Sequence, residues 1–165
     1  MSIAPQLRQY LDEAKVNYDV IEHRPTMSAL ANARSCNIPP DRVAKAVLLD
    51  TADDDHLLAV LPSDRRVELA ELRGELGSMP RLSSEAEIRK VFGDCEVGAV
   101  PPVGYGVTTI IDDSLGQHSD IYFEAGDHKS LVHMERTEFT RLTKDARHGQ
   151  FSESWSADSR PSEFT

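Results

Sequence analysis

At 165 residues the chain has the length of one domain, and folding at that size removes roughly 70% of the unfolded surface from water, so packing suffices without disulfides or a structural metal. Hydrophobic residues at 39% and charged residues at 28% exclude disordered, collagen-like and coiled-coil chains, and two cysteines, Cys36 and Cys95, are too few for a disulfide framework. With 18 Lys plus Arg against 28 Asp plus Glu the formal charge is −10, which argues against broad binding to nucleic-acid phosphates but leaves room for a small site gripping one RNA end.

In chain order, Ile3, Leu7, Leu11 and Ala14 recur at helical spacing with Pro5 near the start, which predicts a helix over 3–14. Val16, Tyr18 and Val20 alternate with Asn17 and Asp19, the period of a half-buried strand. After Arg24-Pro25, Thr26 is placed to cap a helix carrying Ala29, Leu30 and Ala33, which Pro39-Pro40 ends. Two short apolar runs, 46–49 and 57–61, flank Asp53-Asp54-Asp55 and read as a hairpin buried on both faces. The second run is also the longest uninterrupted apolar stretch, far too short to span a bilayer. Val67, Leu69, Leu72 and Leu76 run helically to Gly77, and Ser84 with Glu87 forms a capping box ahead of Ile88, Val91 and Phe92. Strands are expected over 107–111, 121–124 and 131–134, then a short helix with Thr137, Phe139 and Leu142. The core domain is thus expected over 1–145, with 146–165 a Ser-rich, mobile tail holding the single Trp, Trp155. Strands paired locally with helices between them argue for an α+β fold around a mixed sheet. The start at Met1 lacks the basic and apolar regions of a secretory leader, so a soluble, cytoplasmic protein is expected.

Several chemistries drop out. No Gly-rich phosphate loop, dinucleotide fingerprint or Gly-x-Ser-x-Gly elbow is present. The six histidines, at 23, 56, 118, 128, 133 and 148, make no His-x-x-x-His pair, and no Cys-x-x-Cys occurs, so no metal is expected. Unpaired cysteines are more often small buried hydrophobes than nucleophiles.

Three segments remain. Lys45 stands between Ala44 and the strand beginning at Ala46, where an ammonium either holds an anion or hydroxyl or snorkels from a strand end to water. Gly98-Ala99-Val100-Pro101-Pro102 is either a plain turn or a rigid loop whose N–H groups at Gly98, Ala99 and Val100 hold a carbonyl oxygen. Phe123-Glu124-Ala125-Gly126-Asp127-His128 is either an ordinary hairpin turn or one that presents an acid and an imidazole to a ligand.

In this order and spacing the three segments resemble the YbaK family, the prolyl-tRNA-synthetase-associated editing domains, over about residues 18–142. Ala44 to Leu49 resembles the family's lysine strand, Gly98 to Pro102 its Gly-x-x-x-Pro loop, and Gly126-Asp127-His128 its closing hairpin. The resemblance implies a mixed β-barrel-like sheet flanked by helices, and trans-editing hydrolysis of the ester joining a small, wrongly attached amino acid to tRNA, with no cofactor. It places Lys45 at the aminoacyl end, the loop of Gly98, Ala99, Val100, Pro101 and Pro102 at the carbonyl, and Asp127 and His128 in the amino-acid pocket. Ala46 departs from the Asn that follows the lysine in alanine-clearing members, and so leaves the amino acid open, while its small side chain suggests room in the pocket. An activated ester needs orientation and oxyanion stabilisation more than a protein nucleophile. The acceptor end of tRNA is the expected partner, gripped by Lys45, Arg65, Arg66 and Lys129 or presented by a synthetase or elongation factor. The competing expectation is a non-catalytic module of the same fold that binds a small ligand or protein.

Overall fold

The computed structural model describes residues 3–24 and 29–154. Its helices are α1 (Pro5–Ala14), α2 (Ala29–Ser35), α3 (Leu69–Leu76), α4 (Glu85–Val91) and α5 (Arg136–Leu142). Its strands are β1 (Asp19–Glu22), β2 (Val43–Asp50), β3 (His56–Pro62), β4 (Arg65–Val67), β5 (Arg81–Leu82), β6 (Thr108–Asp112), β7 (Asp120–Glu124), β8 (Ser130–Glu135), β9 (Arg147–Gly149) and β10 (Ser152–Ser154). Thr26, the expected cap of α2, and Trp155 lie outside the described residues.

Strands β1-β8-β7-β2-β3-β6-β9 form one sheet in that order, with β5 also on β2, while β4 and β10 make a separate pair. The β2–β7, β3–β6 and β6–β9 ladders are parallel and the rest antiparallel, so the sheet is mixed as expected. The barrel-like closure is not found: among the described residues the path runs from β1 to β9 without joining its ends. The fold is α+β, an open sheet with helices packed on it.

The hairpin of β2 and β3 forms in full register from Ala44↔Pro62 to Asp50↔His56. Both strands are buried throughout except at their turn ends, so each side chain must face one apolar layer or the other. Ala44, Ala46 and Leu48 enter the large core, with Leu7 and Leu11 of α1, Ile88 of α4 and Phe139 of α5. Val47 and Leu49 face the second layer with Leu72 of α3 and Phe151, and Val43 faces a third cluster with Ala33 of α2 and Leu131 of β8. Ser84 caps α4 by accepting the Glu87 N–H, the first half of the expected capping box. In contrast, β1 starts later than the 16–20 alternation suggests, because Lys15 ends α1 in a left-handed conformation (φ 56°) and Val16 is drawn into the core before the strand begins.

From Ala146 to Ser154 the chain is not a loose extension. Phe151 is fully buried, its N–H donates to Asp112 Oδ1 at 2.9 Å, and its carbonyl accepts from Glu68 N. Burying a Phe side chain is worth about 1.5–3 kcal/mol, enough to hold two short flanking strands that have little core of their own. The Ser-rich composition concealed this anchor, since one aromatic does the packing while Ser152 and Ser154 accept hydrogen bonds from Arg65.

At the other edge, His133 of β8 lies between Asp19 Oδ2 (3.2 Å) and Asp120 Oδ1 (2.8 Å) and stacks on Tyr122. Burial opposes its charge, but the two carboxylates outweigh it and raise the imidazole above its ordinary 6.5, while the His133 hydrogen bond lowers Asp120 below its ordinary 3.8. A raised base stabilises the fold below its unfolded pKa and loses that contribution as pH rises through the folded value. A lowered acid stabilises above its unfolded pKa and loses it as pH falls through the folded one. The cluster therefore contributes fully between about pH 4 and 6.5. Thermal melts of His133→Gln against the parent should differ most in that window and converge above it; a difference that grows with pH would refute this account.

Candidate functional site

Lys45 is the third residue of β2 and only 3% exposed. It faces away from the core layer of Ala44 and Ala46, opposite Leu61 of β3. The expectation that it snorkels from a strand end fails, because both flanking strands and both faces cover it. On its other side runs β7, parallel, with Val43↔Tyr122 and Ala44↔Phe123 in register. One step further along both strands come Lys45 and Glu124, which alternation puts on the same face. Glu124 is 1% exposed and sits opposite Leu131 of β8. Burial, then the negative charge of Asp127, push its carboxyl up to about 8. Sequence reading passed over Glu124; its signal was an acid ending the run Ile121-Tyr122-Phe123, where the alternation opposes it to the core residue Phe123.

The turn from β7 to β8 gathers several segments. Ala125 O accepts from Ala4 N at 2.9 Å, Gly126 O from Glu96 N at 2.8 Å, and Lys129 O from His23 N at 2.7 Å. Gly126 has φ +104°, and a Cβ there would lie 2.9 Å from that of Ala4 and 3.2 Å from Cys95 Sγ, so only glycine fits. Asp127 is an internal brace: Oδ1 accepts from the Lys129 and Ser130 N–H groups and Oδ2 from Ser130 Oγ. His128, at φ 62° and 8% exposed, does not project from the tip. It folds back so that Nε2 donates to Val97 O at 2.7 Å, leaving Nδ1 buried without a hydrogen-bond partner among the described residues.

That bond fastens the turn to the loop at 98–102. Gly98 takes φ +91°, the left-handed region that favours glycine, and the whole loop is buried. The N–H of Ala99 donates to Glu96 O at 3.1 Å and is committed to the loop's own geometry, which leaves Gly98 and Val100 as candidate carbonyl donors. Pro101 and Pro102 also wall a cavity of about 350 Å³ with Tyr10, Tyr105 and Leu58. Leu58 belongs to the large core, so this cavity opens on the face opposite Lys45.

Strand register thus sets Glu124 beside Lys45, the turn of Asp127 and His128 follows Glu124 directly, and the His128 bond to Val97 ties the loop beginning at Gly98 to that turn. Ala46 is not among them: its side chain, 1% exposed, packs in the large core on the other face. Arg65 is held by Ser152 and Ser154, and Arg66 by Glu153, so the expected cations at 65 and 66 are tied to β10, whereas Lys129 is exposed beside the turn. Neither cysteine is an activated nucleophile. Burial pushes the Cys95 thiol up to about 12, and burial together with the charge of Glu124 raises Cys36. Among the described residues no group of three or more His, Cys, Asp or Glu is placed to hold a metal ion, and no helix is long and apolar enough to cross a membrane.

Comparison with known proteins identifies the family and the fold. Residues 22–142 match the model of the aminoacyl-tRNA editing domain. The prolyl-tRNA editing protein ProX of Acetoanaerobium sticklandii is 27% identical over 144 residues, covering 81% of this chain and 86% of the relative. The crystal structure of a candidate trans-editing enzyme for prolyl tRNA synthetase superposes with a TM-score of 0.81 at 20% identity, over 92% of this chain and 97% of that one. That of hypothetical protein APE2540 gives 0.80 at 19%, over 90% and 99%. The fold is the one these solved structures share, and with residues 22–142 matching its model the chain belongs to the aminoacyl-tRNA editing domain family, whose members are hydrolases of the aminoacyl ester.

Proposed function

We propose that this chain acts in trans on mischarged tRNA, cutting the ester between a small amino acid and the terminal adenosine, with Lys45 as the residue that orients the aminoacyl end. The observation that carries the reading is a lysine buried in the middle of a sheet. An ammonium costs several kcal/mol to desolvate, and a sheet stabilised by packing alone has no use for one at this position. In the loop that His128 ties to the turn after Glu124, the Gly98 and Val100 N–H groups are the proposed donors to the carbonyl as it becomes an oxyanion, and the buried Nδ1 of His128 is the proposed acceptor for the substrate's α-amino group. Asp127 and the His128 bond to Val97 support this site from behind by holding turn and loop together.

The tRNA itself meets few cations. With −10 overall and two arginines tied to β10, binding to tRNA alone should be weak and salt-sensitive, and a synthetase or elongation factor is the proposed source of additional affinity.

A panel of tRNAs carrying different amino acids, offered to the purified protein, tests the activity; release of none of them would favour the non-catalytic module. Lys45→Met keeps the apolar stem and volume of a residue that is 3% exposed, so it should stay folded, with a Tm lowered by the loss of the cation beside Glu124, while losing activity by on the order of 10²-fold or more. Parent-like rates for this variant would remove Lys45 from the site.

Ala46→Leu addresses specificity. Since Ala46 faces the core, the larger side chain should overpack it at a cost of about 1–3 kcal/mol, read as a lower Tm, and leave relative rates across the panel unchanged. Selective loss of the larger amino acids would instead place Ala46 at the pocket.

A further inference from the structure

We infer that Glu124 is the proton acceptor for the hydrolytic water in this site. The inference rests on the deacylase reading above and adds the group which that reading lacks. Water attacking the ester carbonyl must lose a proton, and the leaving ribose oxygen must gain one.

Four of the titratable groups near the turn are engaged or unsuited. Both oxygens of Asp127 accept hydrogen bonds from the turn, His128 donates Nε2 to Val97 O, and the Cys95 and Cys36 thiols are held protonated. Glu124 lies one strand from Lys45 on the same face, at the root of the turn that carries the loop contacts. Both are screened from water, at 3% and 1% exposed. The titratable groups around Glu124 are Lys45 on β2, Asp127 in the turn and Cys36 at the end of α2, and His23 follows β1 with its backbone N–H on Lys129 O of the same turn and its Nδ1 against Arg24 O. Its proton affinity, raised to about 8, is near the range where a carboxylate works as a general base at neutral pH.

The step balances. A water oxygen bonds to the carbonyl carbon as one of its protons passes to the Glu124 carboxylate, and the resulting oxyanion is held by the loop N–H groups. The carbon–oxygen bond to the ribose then breaks, and the ribose oxygen takes the proton from the Glu124 carboxylic acid. The products are the free amino acid and tRNA with its terminal hydroxyl restored.

The test is the pH dependence of deacylation of the best aminoacyl-tRNA from the panel, corrected for spontaneous hydrolysis, for the parent, Glu124→Gln, Asp127→Asn and His23→Gln. The parent rate should rise with a midpoint near 8 and level off. Glu124→Gln, which mimics the protonated acid in shape, should lose on the order of 10²-fold in kcat with little change in KM, and have no such limb. Asp127→Asn keeps an acceptor for the turn but removes the like charge, so its midpoint should move to lower pH. That variant retains Glu124 and serves even if Glu124→Gln fails to fold. A parent-like profile for Glu124→Gln, an unmoved midpoint in Asp127→Asn, or loss of the limb only in His23→Gln would each overturn the assignment. A parent inactive across the panel would overturn the deacylase reading beneath it, whereas an active parent with an indifferent Glu124→Gln would overturn this inference alone.

Discussion

A strand covered on both faces has no neutral side: every residue of β2 from Val43 to Leu49 must enter one buried layer or the other. That constraint organises the molecule. It requires α1, α4 and α5 on the layer of Ala44, Ala46 and Leu48, and α2 and α3 on the layer of Val43, Val47 and Leu49. Lys45, alternating with those alanines, is thereby carried into an apolar interior. A polar group in such a place must be compensated, and the parallel pairing with β7 brings a carboxyl to the same level. The sheet thus places a cation and an acid side by side through strand register, which is rigid, and not through a loop, which is not.

The turn after β7 links this pair to the loop beginning at Gly98, the other part of the proposed site. Its backbone is held by Ala4, Glu96 and His23, three segments far apart in sequence, and a side chain at Gly126 would separate it from two of its neighbours. His128 adds a bond to the carbonyl next to Gly98, so the conformation of the loop depends on that of the turn. The histidine that looks like a ligand-facing group in the sequence thus has one nitrogen committed to architecture and a second, buried, still available.

The acidic surface sits comfortably with chemistry confined to the terminal nucleotide and its amino acid. Long contacts along a nucleic-acid backbone require cations in a row, and the paired arginines of β4 instead close the C-terminal strand β10 onto the domain. The same strand pairing shows why composition misjudged residues 146–154. Disorder follows from too little apolar surface to offset chain entropy, yet a single fully buried Phe151 and a buried Asp112 supply local order that an average over the segment hides.

How far the sequence reached follows from the range of its signals. Periodicities of two and of 3.6 are local, so the hairpin of β2 and β3, the helices with their Leu7, Leu72 and Phe139 anchors, and the motifs around Lys45, Gly98 and Gly126 were legible residue by residue. Pairings between distant strands leave no such mark. The two-residue β5, the β4–β10 pair and the open edge between β1 and β9 emerge only when the sheet is assembled. The face on which each residue of a doubly buried strand lies is equally invisible, since both faces are apolar. Hence Lys45 stands out in the sequence while its neighbour Glu124 does not, and the expectation that Ala46 lines a pocket gives way to the alternation of the strand, which turns it into the core.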